Sequence, residues 1–97
     1  MNNKVLNLIG LATRAGKVIT GIELCEKAVR QNKAKLIVLT DETSDSTVKI
    51  FEKTKIPKVM VESKELLGKY TGKDVRSVAV IVDAGFARAI LKESGEA

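Results

Sequence analysis

Gly21 stands where the stretch AGKVITGIELCEKAVR, residues 15–30, passes from a short β-branched run, KVIT, into a segment with helical spacing. A glycine at that point supplies the backbone freedom for a sharp turn. The first turn of a helix carries N–H groups without partners and a partial positive charge. A helix led by Gly21, with Lys17 and Lys27 beside it, therefore has the chemistry to hold a phosphate or to meet a base edge. On a helical wheel Ile22, Cys25, Ala28 and Val29 share one side, while Glu23, Glu26, Lys27 and Arg30 share the other, so the basic groups face outward. The plainer interpretation of the same wheel is a solvated charged face with Glu23 and Lys27 paired at i,i+4. Leu24 sits at the margin of the buried stripe, where it can serve as a contact or pack under KVIT.

Other chemistries have thinner support. Cys25 projects into the buried stripe, and the chain has no histidine to activate a thiol, carry a proton near neutral pH or ligate a metal. TDETSDS gathers Asp41, Glu42 and Asp45 in the manner of a cation site, but capping of the following helix accounts for them without an ion. VDAGFARA contains neither GxGxxG nor GxxxxGK[ST], the two common phosphate-cradling fingerprints. Aromatic residues are 3% of the chain, too few to stack single-stranded bases on an open sheet. Neither a cofactor nor a metal is expected, and catalysis is disfavoured.

The elements that must position these residues follow from composition and periodicity. With 97 residues and 44% apolar content, one domain with one modest core is expected. A single cysteine excludes an internal disulfide and suits a reducing cytoplasm, and no apolar run has the length of a membrane span or a secretory leader. LIVLT (36–40), KVMVE (58–62) and SVAVIVD (77–83) have the β-branched content of strands covered on both faces. Between them lie helical patterns: Val5, Leu8, Ile9 and Ala12 in the first, the Gly21-led helix second, and Val48, Ile50 and Phe51 in the third. Ser44 or Asp45, Ser63 and Asp83 are candidate caps for later helices. Gly68 and Gly72 bracket KYTGKD as a helix stop and an exposed loop. The alternation predicts a three-layer α/β/α sandwich around a central mixed sheet of about four strands. The net charge of +5 suits a polyanionic partner. Residues 1–35 hold seven basic and two acidic residues, so all of the excess lies in that first third.

The order AGKVITGIELCEKAVRQNKAKLIVLTDE, then IPKVMVESKELLGKYTGK, then SVAVIVDAGFA resembles the kink-turn RNA-binding family of ribosomal proteins across nearly the whole chain, and most closely its short bacterial members. The most specific pieces are Gly21, AKLIVLTDE, and Ser63 with LGK at 67–69. The resemblance implies a non-catalytic, ribosomal-protein-like RNA binder that acts as a monomer on bent structured RNA, with ribosomal RNA a candidate. In that family the Gly-led helix meets tandem sheared G·A pairs, and a loop before the last core strand meets a flipped-out nucleotide. Position by position, the first element corresponds to Gly21, Ile22, Glu23, Leu24 and Lys27. The second corresponds to Lys73, Asp74, Val75, Arg76 and Ser77, with Lys17 and Thr20 flanking the RNA backbone. Well-known members carry Gly-x-Asn-Glu at the helix start, whereas this chain has Glu23 and Leu24 at the last two places. Glu23 retains an acceptor for guanine N–H groups; the Leu24 side chain cannot hydrogen-bond. The same fold with specific RNA readout lost would instead be a protein-interaction module that uses Ile22 and Leu24.

Overall fold

A computed structural model describes residues 3–95. Its elements run α1 (Asn3–Arg14), β1 (Val18–Thr20), α2 (Ile22–Arg30), β2 (Leu36–Thr40), α3 (Asp45–Glu52), β3 (Lys58–Val61), α4 (Lys64–Tyr70), β4 (Val78–Ile81) and α5 (Ala84–Ser94). The four strands form one mixed sheet in the order β1-β4-β2-β3. β2 and β3 are parallel, with Val38 opposite Val59 and Thr40 opposite Val61. β4 runs antiparallel between β1 and β2, so Val80 lies between Ile19 and Ile37. The expected three-layer architecture is the observed one.

Side chains alternate across each strand, and this sorts the core into two halves. Leu36, Val38, Val59, Val61, Ala79 and Ile81 point to one face, where Val5, Leu6 and Ile9 of α1, Leu67 of α4 and Ala87 and Ile90 of α5 cover them. Ile37, Leu39, Val78 and Val80 point to the other, under Cys25 and Ala28 of α2 and Phe51 of α3. Every residue of β2 and β4 is buried, which explains why both strands read as unbroken apolar runs.

The helix ends refine the sequence expectations. Ser44, not Asp45, caps α3 by accepting from the Thr47 N–H; Ser63 and Asp83 cap α4 and α5 through the N–H groups of Leu66 and Phe86. Gly68 does not stop its helix. α4 continues to Tyr70, and Gly68 instead permits close packing, since a Cβ there would lie 2.5 Å from the Asp74 carbonyl oxygen. On α3 the buried side chains are Thr47 and Phe51, whereas Ile50 is exposed. The helix rolls enough over the sheet to present Thr47 in its place.

Candidate functional site

One end of the sheet carries an open groove of about 610 Å³. Its walls are the start of α2 (Gly21, Ile22, Leu24), the loop entering β4 (Val75, Arg76, Ser77), the turn from β2 into α3 (Glu42, Ser44) and the first residue of α4, Lys64. The topology dictates this convergence. β1, β2 and β3 all end at this edge of the sheet and β4 begins there, so three helix starts and one strand start meet.

Among those helices α2 is the one without a side-chain cap. Gly21 occupies its N-cap with φ 94° and ψ 142° and has no side chain to accept from the first turn. That backbone conformation is nearly confined to glycine. The first-turn N–H groups of α2 therefore remain directed outward for an external acceptor. Gly21 is anchored by its own N–H, which donates to the Val78 carbonyl at 3.4 Å.

The opposite wall is fixed from several directions. Arg76 N–H donates to the Lys64 carbonyl at 2.9 Å, and the Arg76 guanidinium donates to Thr20 Oγ1 at 3.4 Å and to the Val75 carbonyl at 2.6 Å. Thr43 Oγ1 donates to the Ser77 carbonyl at 2.7 Å, tying the β2–α3 turn to the mouth of β4. Glu42 Oε1 accepts from the Lys64 N–H at 3.0 Å, which places a carboxylate at the start of α4. Three apolar side chains lie exposed on the rim: Ile22 at 39%, Leu24 at 59% and Val75 at 43%. Ile22 is thus outside the buried stripe in which periodicity placed it, because α2 meets the sheet through Cys25 and Ala28.

The groove brings together Thr20, Gly21, Ile22, Leu24, Val75, Arg76 and Ser77 from segments far apart in sequence. Glu23 and Lys27 are exposed on the outer face of α2. The i,i+4 ion pair that forms on this helix joins Glu26 to Arg30 at 3.8 Å rather than Glu23 to Lys27. Lys73 and Asp74 lie in the exposed loop behind the wall, where the Lys73 N–H donates to the Gly68 carbonyl. Lys17 is not beside the Gly21 turn as expected. It precedes Val18, which pairs with Ile81 at the far end of β4, whereas Thr20 pairs with Ala79 near its start; an extended chain carries it roughly 13 Å from Gly21. Glu42 and Lys64 were not expected in the site, and helix-capping logic for TDETSDS obscured the first. Their only sequence signal is position, each following a β-branched run where a strand ends.

Among the described residues no group of three His, Cys, Asp or Glu is arranged to hold a metal. Cys25 is buried on the sheet side of α2, its thiol donating to the Ile19 carbonyl at 3.3 Å, and burial pushes its pKa up to about 12. It is a core residue.

A mixed four-stranded sheet between two helical layers, with an uncapped helix start facing a strand-entry loop across a groove, defines a small α/β/α domain of the ribosomal-protein type. The chain belongs to the ribosomal protein L7Ae/L30e/S12e/Gadd45 family, whose pattern matches residues 3–91. It is 41% identical over 88 residues to the RNA-binding protein YlxQ of Bacillus subtilis (strain 168), covering 87% of this chain and 88% of that one. It is 30% identical over 96 residues to the large ribosomal subunit protein eL8 of Cenarchaeum symbiosum (strain A), covering 94% and 76%. A protein of unknown function from Bacillus halodurans superposes with a TM-score of 0.87 at 33% identity, over 96% of this chain and 98% of that one. The Giardia lamblia 15.5kD RNA binding protein shares the fold, with a TM-score of 0.78 at 20% identity over 97% and 84%.

Proposed function

We propose that the groove binds structured RNA at a bent, non-Watson–Crick element of kink-turn type, and that the protein holds this RNA without catalysing a reaction. The observation that carries the proposal is the uncapped start of α2 at Gly21, opening toward the loop that holds Arg76. A helix start of this kind donates its N–H groups to phosphate or base-edge oxygens. Lys64 and Arg76 supply cations for the backbone, contacts that position RNA without reading its sequence. Glu23 offers an acceptor to the N–H donors of a guanine. Ile22, Leu24 and Val75 offer apolar surface to bases displaced from a stack, which regular A-form duplexes do not present. The name of the Bacillus subtilis relative, an RNA-binding protein, supports RNA as the polymer. In this proposal one chain serves one site, in a bacterial cytoplasm.

The test is a titration against a short kink-turn RNA and against the same RNA with its G·A pairs changed to Watson–Crick pairs, at two salt concentrations. Preference for the intact RNA is the expected result; equal binding to both would overturn the kink-turn assignment. The exposed trio of Ile22, Leu24 and Val75 also suits a protein partner, and capture of one defined protein after nuclease treatment, with no preference among RNAs, would favour that function.

A further inference from the structure

The positive charge of this protein does not lie at the groove. At the groove end of the sheet Lys64 and Arg76 stand among Glu23, Asp41, Glu42, Asp45 and Glu62, each within a few residues of a strand or helix terminus there. At the opposite end, beside the β4–α5 turn that holds Asp83, lie three loops, α1–β1, α2–β2 and α3–β3. They carry Arg14 and Lys17, Lys33 and Lys35, and Lys53 and Lys55, all six exposed. Backbone pairing sets them in one row. The Lys17 carbonyl accepts from the Val82 N–H, the Lys35 N–H donates to the Ile81 carbonyl, and the Ile37 N–H donates to the Pro57 carbonyl. Neighbouring strands lie about 4.8 Å apart, so the row crosses the width of the sheet.

Local stabilisation explains only part of this row. Arg14 and Lys53 sit at the C-terminal ends of α1 and α3, where a cation complements the helix dipole. Lys17, Lys33, Lys35 and Lys55 lie beyond the helix ends, and none of the six forms an ion pair among the described residues. The nearby acids offset only part of this charge: Glu52 is exposed and Asp83 caps α5 through the Phe86 N–H, while Glu26 is taken by Arg30, so six cations face two carboxylates. No large exposed apolar side chain lies in the three loops. A surface that enters a membrane interface requires such anchors, whereas a duplex backbone requires only spaced cations.

We infer that the end of the sheet opposite the groove is a second RNA-binding surface, which takes the phosphate backbone of duplex RNA through Lys17, Lys33, Lys35 and Lys55 without reading sequence. That the polymer is RNA rests on the function proposed above. The surface lies about 13 Å or more from the groove along β2, which is five residues long, so one protein contacts two RNA segments or two arms of one bent RNA.

The experiment uses a plain blunt RNA duplex without G·A pairs, and compares the wild type, the triple variant Lys33→Ala, Lys35→Ala, Lys55→Ala, the matching triple Lys→Arg variant and Lys92→Ala. The Ala variant should bind the duplex more weakly, with a salt slope shallower by roughly one unit per lysine. Raising salt from about 50 to 200 mM then costs it about 40-fold less affinity than it costs the wild type. The Arg variant and Lys92→Ala, which removes one exposed cation of α5 outside both surfaces, should bind the duplex as the wild type does. An unchanged slope in the Ala variant would overturn the inference. So would an equal loss in Lys92→Ala, or a loss of binding to anionic phosphatidylserine vesicles with none to the duplex. Failure of the kink-turn assignment is distinguishable, because it removes the preference for G·A-containing RNA while the lysine effect on plain duplex persists.

Discussion

Arg76 Nε donates to Thr20 Oγ1 at 3.4 Å across 56 positions of sequence, joining the strand that leads into α2 to the loop that leads into β4. The two walls of the groove are thereby held by one polar contact between side chains. Thr20→Val keeps the shape and removes the acceptor, so stability should change by less than about 1 kcal/mol, while affinity for kinked RNA falls by roughly two- to five-fold. Arg76→Ala also removes a charge and should lower that affinity by about tenfold or more, with a shallower salt slope. Titrations of both variants at two salt concentrations check the ranking; identical effects would mean that Thr20 sets no geometry for Arg76.

Gly68 is where α4 and the loop before β4 come closest. An added methyl group would meet the Asp74 carbonyl oxygen at 2.5 Å and the Val75 nitrogen at 2.8 Å, both backbone atoms that cannot swing aside. Gly68→Ala should therefore cost about 1–3 kcal/mol, or roughly 4–8 °C of Tm for each kcal/mol in a domain of this size. Because the displaced residues adjoin Arg76, RNA affinity should fall as well, even well below the melting temperature. Thermal unfolding followed by circular dichroism measures the first effect; an unaltered Tm would show that the loop yields at no cost.

Glu23 and Leu24 lie on the exposed first turn of α2, with Leu24 59% exposed. Replacing them together, Glu23→Asn with Leu24→Glu, gives the Gly-x-Asn-Glu order of well-known family members. Stability should stay within about 0.5 kcal/mol, as for most surface substitutions. Discrimination between G·A-containing and Watson–Crick RNA should rise by about 1–3 kcal/mol, the scale of one well-formed base-edge contact. Competition binding with the two RNAs decides this; unchanged discrimination would mean that the start of α2 does not face the bases.

Cys25 predicts a pH dependence. Burial raises its thiol from the ordinary value of 9.0 to about 12 in the folded protein, a backbone hydrogen bond involving Val80 opposing the rise. The protonated form is the one the fold accommodates. Its contribution to stability is complete below pH 9 and is lost as pH rises from 9 toward 12, where the unfolded chain ionises and the native one does not. Urea unfolding of the wild type and Cys25→Ala should show the stability advantage of the wild type shrinking over that window. At neutral pH a thiol reagent should modify Cys25 only as fast as the fold opens.

The sequence by itself determines the layers. β2 and β4 are legible because strands buried on both faces must be apolar at every position, and Ser63 and Asp83 announce the starts of α4 and α5 because a short acceptor side chain satisfies a local N–H. Gly21 is legible for the same local reason, being the residue that tolerates φ 94°. What only the tertiary structure decides is which residues share an end of the sheet. Lys17 and Gly21 are four residues apart yet occupy opposite ends, because an extended strand separates them. Glu42 and Lys64, 22 residues apart, are hydrogen-bonded because β2 and β3 are parallel and end together. Four of the seven basic residues of the first third, Arg14, Lys17, Lys33 and Lys35, are carried to the end of the sheet away from Gly21 by the direction of the strands. Strand order and polarity arise from long-range packing of the two core faces, and no local pattern of residues encodes them.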